Sequence, residues 1–188
     1  MKRKDTGKAT TQQDAGAKQK QLNYNTQLRN VMTREGECNM FPLEIPDEKN
    51  KYILRLKMPA ATFLESYPHL CQDLFEVERR YNYDHVELLV YFPSMFPSVP
   101  PFVRVVKPRF RFHTGHVTVG GSICTELLTT SGWISSMTIE NLILFLHRTI
   151  IDGQGRVDLT SPLVNVPYDE SEARQAFQRV SQDHGWVV

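Results

Sequence analysis

The chain has 188 residues, 40% hydrophobic and 23% charged, with a net charge of +1. Those proportions suit one soluble domain with a core of ordinary size plus a tail. They exclude a globally basic nucleic-acid binder, and no apolar run approaches the roughly 18 residues of a membrane-spanning helix.

The three cysteines, Cys38, Cys71 and Cys124, are too few and too scattered for a disulfide framework. The basic start Met1 to Asp5 is followed by no apolar stretch, which predicts no secretory signal and free thiols in a reducing compartment. The expected location is cytoplasmic. A nuclear-import role for Lys2-Arg3-Lys4 is the less favoured reading of a solvated tail. Residues 1–20 are polar and rich in Lys, Gln, Thr and Ala, so they are expected to be a disordered tail, with residues 21–188 as one core domain.

From about Ala15 the pattern turns helical. Tyr24, Leu28, Val31 and Met32 recur at helical spacing, and Gly36 supplies a stop. Strands follow: Asn39 to Ile45, a turn at Asp47 to Asn50, then Lys51 to Met58 with Tyr52, Leu54, Leu56 and Met58 on one face. From Pro68 to Tyr81, Leu70, Leu74 and Val77 sit at helical spacing, with Cys71 as a small packing residue. Asp73, Glu76, Glu78, Arg79 and Arg80 are predicted to face outward. His85 to Phe92 and Phe102 to Lys107 read as strands. Pro93, Pro97, Pro100 and Pro101 between them forbid regular pairing and predict an extended loop. In the last third, Thr138 caps a helix with an apolar stripe of Ile139, Leu142, Ile143, Leu146 and Ile150, broken at Gly153 and Gly155. Asp169 opens another, with Ala173, Ala176, Phe177 and Val180 inward and Gly185 closing it. Helices and strands in blocks predict an α+β fold: an N-terminal helix, a four-stranded antiparallel meander, a site loop and C-terminal helices.

Between Pro108 and Gly132 neither the helical nor the strand period holds, so this is a long loop, and long ordered loops are usually functional. Gly120-Gly121 is read as a turn that lets the backbone approach a ligand. Cys124, flanked by His113, His116 and Glu126, then has the makings of an accessible nucleophile. A thiolate is a good acyl carrier. Transfer from it passes through an oxyanion for which one well-placed donor is worth about 3–4 kcal/mol. A buried, inert cysteine stands against this reading with comparable weight.

Two motifs resolve the choice. Phe92-Pro93-Ser94-Met95-Phe96-Pro97-Ser98-Val99-Pro100-Pro101 resembles the Tyr-Pro…Pro-Pro signature of ubiquitin-conjugating enzymes. Gly121-Ser122-Ile123-Cys124-Thr125-Glu126-Leu127-Leu128, followed by Trp133, resembles their active-site segment. The helix between the second and third strands, the phrase Pro100 to Val106, Glu126 to Thr129 before Gly132-Trp133, and the late Gly185-Trp186 resemble the Q-type branch. The resemblance covers about residues 20–188. It implies the ubiquitin-conjugating (UBC) fold, with ubiquitin or a ubiquitin-like protein carried as a thioester on Cys124. It also implies an activating enzyme and a ubiquitin ligase as partners. No cofactor is expected in the chain itself, since ATP is consumed by the separate activating enzyme. Neither nucleic acid nor membrane is an expected partner.

The departures are specific. The family's His-Pro-Asn ahead of the cysteine falls on Thr114-Gly115-His116. His116 therefore stands at the Asn position, where an imidazole N–H can donate or the ring can act as a base. A loop histidine bonded to backbone is the equal alternative. The ligase-contacting aromatic falls on Ser98, and Ser-Pro-Ala becomes Ile134-Ser135-Ser136, which predicts weak or unconventional contact with RING-type ligases. Members of the family without the Asn are associated with hydroxyl as well as lysine acceptors. His184 and Trp186 resemble a second element of the Q-type site, although helix termination is the favoured reading. Glu126 either orients a nucleophile or faces solvent.

Three rivals stand beside this. An RWD-type adaptor shares the fold and the proline loop but lacks the cysteine. A cysteine hydrolase would use Cys124 with His113 or His116 as base and Glu126 as orienter. A zinc site of His113, His116 and Cys124 is disfavoured, since a structural site needs four ligands and usually paired cysteines.

Overall fold

The structure, a computed structural model, describes residues 26, 27, 30, 40–47, 50 and 52–188. The predicted tail, the residues that carried the first-helix prediction (Tyr24, Leu28, Val31, Met32, Gly36) and Cys38 lie outside the described residues. Thr26, Gln27 and Asn30 are helical.

Strand β1 (Leu43–Glu44) is shorter than the predicted Asn39 to Ile45. β2 (Ile53–Pro59), β3 (His85–Tyr91) and β4 (Phe102–Lys107) match their predicted stretches closely. The four pair in chain order, each antiparallel to the next. Register follows the alternation: Leu54 faces Val90, Leu56 faces Leu88 and Met58 faces Val86, while Leu88 and Val90 meet Val105 and Val103. All of these are buried, because a period of two sends one set of side chains to one face. Tyr52 is the exception to the predicted face. It lies in the turn before β2 and is exposed.

A 3₁₀ turn, Ala60–Phe63, follows β2 and drops Ala60 and Phe63 into the core. Helix α1 (Pro68–Tyr81) starts with proline in its first turn, where no intrahelical donor is lost, and ends on Asn82 at φ 63°. Leu70, Cys71, Leu74 and Val77 form its buried stripe. Asp73 is a correction. The outward position predicted for it does not hold: it is 4% exposed, because the Arg156 guanidinium donates to its carboxylate at 2.6 and 2.9 Å and Val157 N–H donates at 3.0 Å. A charge leaves water only when its partners replace the water, and here they come from a loop 83 residues away.

Helix α2 (Ile139–Asp152) buries the stripe of Ile139, Leu142, Ile143, Leu146 and Ile150 in the same core as the sheet's inner face and α1. Its cap is the predicted one: Asn141 N–H donates to the Thr138 hydroxyl at 3.1 Å. The Gln27 side chain accepts from Ile139 N–H at 3.2 Å, which ties the N-terminal segment to the start of α2. Helix α3 (Glu170–His184) is capped by Asp169, which accepts from Ser171 and Glu172 N–H, and stops at Gly185 with φ 70°. Ala173 and Ala176 are buried, and Phe177 meets Phe102 with ring centroids 5.9 Å apart. Val180, predicted inward, is only partly covered and lines a cleft instead. Among the described residues, no helix is long and apolar enough to cross a membrane.

Candidate active site

The site is built on the free edge of β4. Ile123 N–H donates to Val103 O at 3.1 Å and Val105 N–H to Gly121 O at 2.8 Å, so residues 121–123 run along β4 as a short antiparallel continuation of the sheet. The same residues fold back on 116–118. Thr118 N–H donates to Ser122 O at 2.9 Å, Val117 bridges Ile123, and Cys124 N–H donates to His116 O at 2.7 Å. The result is a tight hairpin that sets His116 across from Cys124.

Its register is pinned from inside. Thr118 and Ser122 are buried with their hydroxyls 2.7 Å apart, and Ser122 N–H donates to Thr118 Oγ1 at 3.0 Å. A slip of one residue would separate this pair and turn Cys124 to the opposite face. The hairpin was missed from sequence, yet its signal is there: β-branched residues alternate around Gly-Gly in His116 to Cys124.

The glycines serve a different purpose from the one expected. Gly121 has φ 92°, as a turn requires, but what approaches the pair is the protein itself. A Cβ on Gly120 would lie 2.4 Å from Glu172 O, and one on Gly121 would lie 2.4 Å from the Tyr168 ring. They let α3 and the segment before it close onto the hairpin. The reading of a ligand approach at Gly120-Gly121 is therefore withdrawn.

Beyond the cysteine, a 3₁₀ turn at Glu126–Leu128 leads to Trp133, whose indole N–H donates to Pro97 O at 2.7 Å while its ring meets Phe96. This joins the two sequence motifs physically. The chain's end returns as well: Thr130 N–H donates to Val187 O at 2.8 Å.

Two clefts meet at the thiol. The larger, of about 530 Å³, is lined by Phe112, His113, Val119, Arg179, Asp183 and Val180 together with His116, Cys124 and His184. The second, of about 490 Å³, is lined by Thr125, Glu126, Phe145, Thr149, Asp152 and Trp186, again with His116, Cys124 and His184. Every sequence-predicted site residue thus reaches one or both clefts. His113 and His116 are exposed and both sit at positive φ, 60° and 53°. The Phe112 and His113 rings lie 3.7 Å apart. Among the described residues the His116 imidazole makes no hydrogen bond, so the alternative of a side chain tied to backbone finds no support; only its main-chain carbonyl is engaged. Glu126 is exposed at the rim of the second cleft. His184 and Trp186 stack at 4.5 Å and 15°, one on each side of the Gly185 cap, so helix termination and a place in the cleft coexist. Among the described residues no group of three or more His, Cys, Asp or Glu side chains is arranged to hold a metal ion.

Cys124 is half-buried, and burial alone pushes its thiol above the ordinary value, because the thiolate loses hydration with no cation to replace it. Cys71, packed in the core beneath α1, is pushed up mainly by burial and further by Asp84.

A four-stranded meander backed by helices, with a proline loop locked to a cysteine-bearing edge segment, is the architecture of the ubiquitin-conjugating class. The profile of that family, described as ubiquitin-conjugating enzyme, matches residues 76–182. The chain belongs to the ubiquitin-conjugating enzyme family, in its Q branch. It is 36% identical over 122 residues to the Q-like ubiquitin-conjugating enzyme protein 1 of Homo sapiens, covering 63% of this chain and 72% of that one. It is 34% identical over 166 residues to ubiquitin-conjugating enzyme E2 25 of Caenorhabditis elegans, covering 86% of this chain and 41% of the relative. The chain thus spans less than half the length of the nematode relative. Among solved structures, human ubiquitin-conjugating enzyme E2 G1 superposes with a TM-score of 0.49 at 15% identity, covering 70% of this chain and 93% of that one.

Proposed function

We propose that this chain accepts ubiquitin, or a ubiquitin-like protein, from an activating enzyme as a thioester on Cys124 and passes it to lysine or hydroxyl acceptors. The observation that carries the reading is the partly exposed thiol at the junction of two clefts, on a hairpin whose register is locked. In charging, the Cys124 thiolate attacks the activating enzyme's thioester carbonyl and displaces that enzyme's thiol. In transfer, an amine or hydroxyl attacks the new thioester and the Cys124 thiolate leaves. ATP is consumed at the activating enzyme.

His116, opposite Cys124 with a free imidazole, donates to the oxyanion or takes the acceptor's proton. His184 and Trp186 close the junction from the C-terminal side, with His113 and Glu126 at the rims. The thiol's upward shift argues against a Cys–His hydrolase, which works by pairing a thiolate with an imidazolium and lowering the thiol's pKa. Contact with RING-type ligases is weak, because Ser98 supplies no aromatic anchor in the proline loop.

The test is a charging assay with activating enzyme, ATP and ubiquitin, resolved with and without reductant. Wild type should gain a reductant-labile adduct and Cys124→Ala none. A wild-type chain that never acquires that adduct leaves only the adaptor reading.

A further inference from the structure

We propose that Asp73, on the helix between β2 and β3, and Arg156 are positioning residues that hold His116 in place for the transfer step. The inference rests on the proposed role of His116.

The backbone before His116 has little regular pairing of its own. Residues 110–116 are laid instead on a template, residues 153–157. Phe110 bridges Val157, and Arg111 N–H donates to Arg156 O at 2.8 Å. Arg156 N–H donates to Thr114 Oγ1 at 3.1 Å, and that hydroxyl lies 2.9 Å from Arg111 O. Gly115 N–H donates to Gly153 O at 2.6 Å. His116 follows at φ 53°, a left-handed conformation that non-glycine residues hold only when their surroundings impose it.

The template is in turn held from outside the site. Asp73 is the anchor: its carboxylate takes two bonds from the Arg156 guanidinium and one from Val157 N–H, all three within 3.0 Å. The carboxylate is buried and rigid on α1, while Arg156 keeps 30% of its side chain in solvent. A bidentate carboxylate–guanidinium pair fixes orientation as well as distance, which a single point charge does not. The chain of contacts therefore runs from Asp73 to Arg156 and Thr114, then along the loop to the His116 ring and to the carbonyl that receives Cys124 N–H.

Transfer should feel a misplaced His116 and charging should not, because charging borrows the activating enzyme's own machinery. The experiment measures both steps on the full chain: charging of Cys124 with ubiquitin, then single-turnover discharge to free lysine. Arg156→Gln is expected to discharge about ten- to a hundredfold more slowly, with charging within about twofold of wild type. Arg156→Lys, which keeps the charge and loses the fork, should fall between. In a His116→Ala background, Arg156→Gln should add little.

An Arg156→Gln defect equal in charging and discharge, or one that adds in full to His116→Ala, overturns the inference, as does discharge at the wild-type rate. Should Arg156→Gln not fold, Thr114→Val removes the relay's hydroxyl alone and is read the same way. A wild-type chain that fails to charge takes down the proposed function and this inference together. One that charges while the variants behave like wild type takes down only this one.

Discussion

Gly153→Ala isolates the contact between α2 and the His116 loop. Gly153 caps α2 at φ −77°, a conformation any residue adopts, so alanine brings no backbone strain. Its Cβ, however, would lie 2.6 Å from both Cδ2 and N of His116 and 2.7 Å from Gly115 C. That falls short by about 0.8 Å of the 3.4 Å at which ordinary contact begins. Two of the three atoms are main chain, so no rotamer change relieves the clash and the loop must move away from α2. Overpacking of this kind costs about 1–3 kcal/mol. For a domain of this size each kcal/mol lowers the melting temperature by about 2–4 °C, which predicts a fall of about 2–12 °C. The same displacement moves His116 by most of an ångström, enough to slow discharge about a hundredfold if its placement matters. Calorimetry and single-turnover discharge read the two effects separately. A melting temperature within about a degree of wild type, with unchanged discharge, refutes the argument that Gly153 sets the loop.

The remaining expectations are independent of one another. His116→Ala should charge normally on Cys124 and discharge slowly; discharge at the wild-type rate removes the role given to His116. Asp73→Ala leaves Arg156 and Val157 N–H without an acceptor and should cost toward the lower end of the about 3–5 kcal/mol typical of a half-broken buried pair, since Arg156 is part-solvated; urea titration measures it. Because burial raises the Cys124 pKa, the thiolate fraction grows with pH, so iodoacetamide labelling of Cys124 in the folded chain should accelerate from pH 7 to 9. It should stay slower at each pH than in urea, and peptide mapping that finds it faster than in urea contradicts the burial effect. His147, stacked on Phe63 at 4.6 Å, is pushed below the ordinary imidazole value mainly by burial, with Arg148 adding and a bond to the Thr62 backbone opposing. A depressed pKa contributes stability that is present above the unfolded value and lost as pH falls through the folded one. His147→Phe should therefore flatten the decline in melting temperature on acidification below pH 7; an unaltered slope excludes that contribution.

Most of the fold was legible because its elements obey simple periods. The stripes of α1 and α2, the caps Thr138 and Asp169, the stop at Gly185 and the alternation of Leu54, Leu56 and Met58 are local statements, and each needed only neighbours in sequence. What escaped depended on partners far along the chain. Asp73 looks like any surface carboxylate on a helix until Arg156 comes to meet it. Gly120 and Gly121 look like a ligand-binding turn until Glu172 and Tyr168 arrive on them. The site residues were found through motif resemblance, while the hairpin that presents them was overlooked, since its alternating stretch is shorter than a strand and interrupted by the turn itself. Ser98 and Ile134 were recognised as departures because a motif names what should stand there.

The thiol's environment bears on why a donor or base should be needed at all. A thiol whose pKa is pushed up is the poorer leaving group, so a thioester on Cys124 should resist idle loss to water and also resist its intended acceptor. The first property suits a carrier that must diffuse between partners. The second must be offset at the moment of transfer, by a group that stabilises the oxyanion or strips the acceptor's proton. His116 and His184 are the two titratable side chains that border both clefts with Cys124, so an acceptor arriving along either route meets them. If that reasoning holds, the double variant His116→Ala with His184→Ala should keep its thioester longer than wild type in the presence of lysine, while its half-life in buffer alone stays the same. Shortening of the buffer half-life instead would mean that the histidines shield the thioester from water and take no part in its transfer.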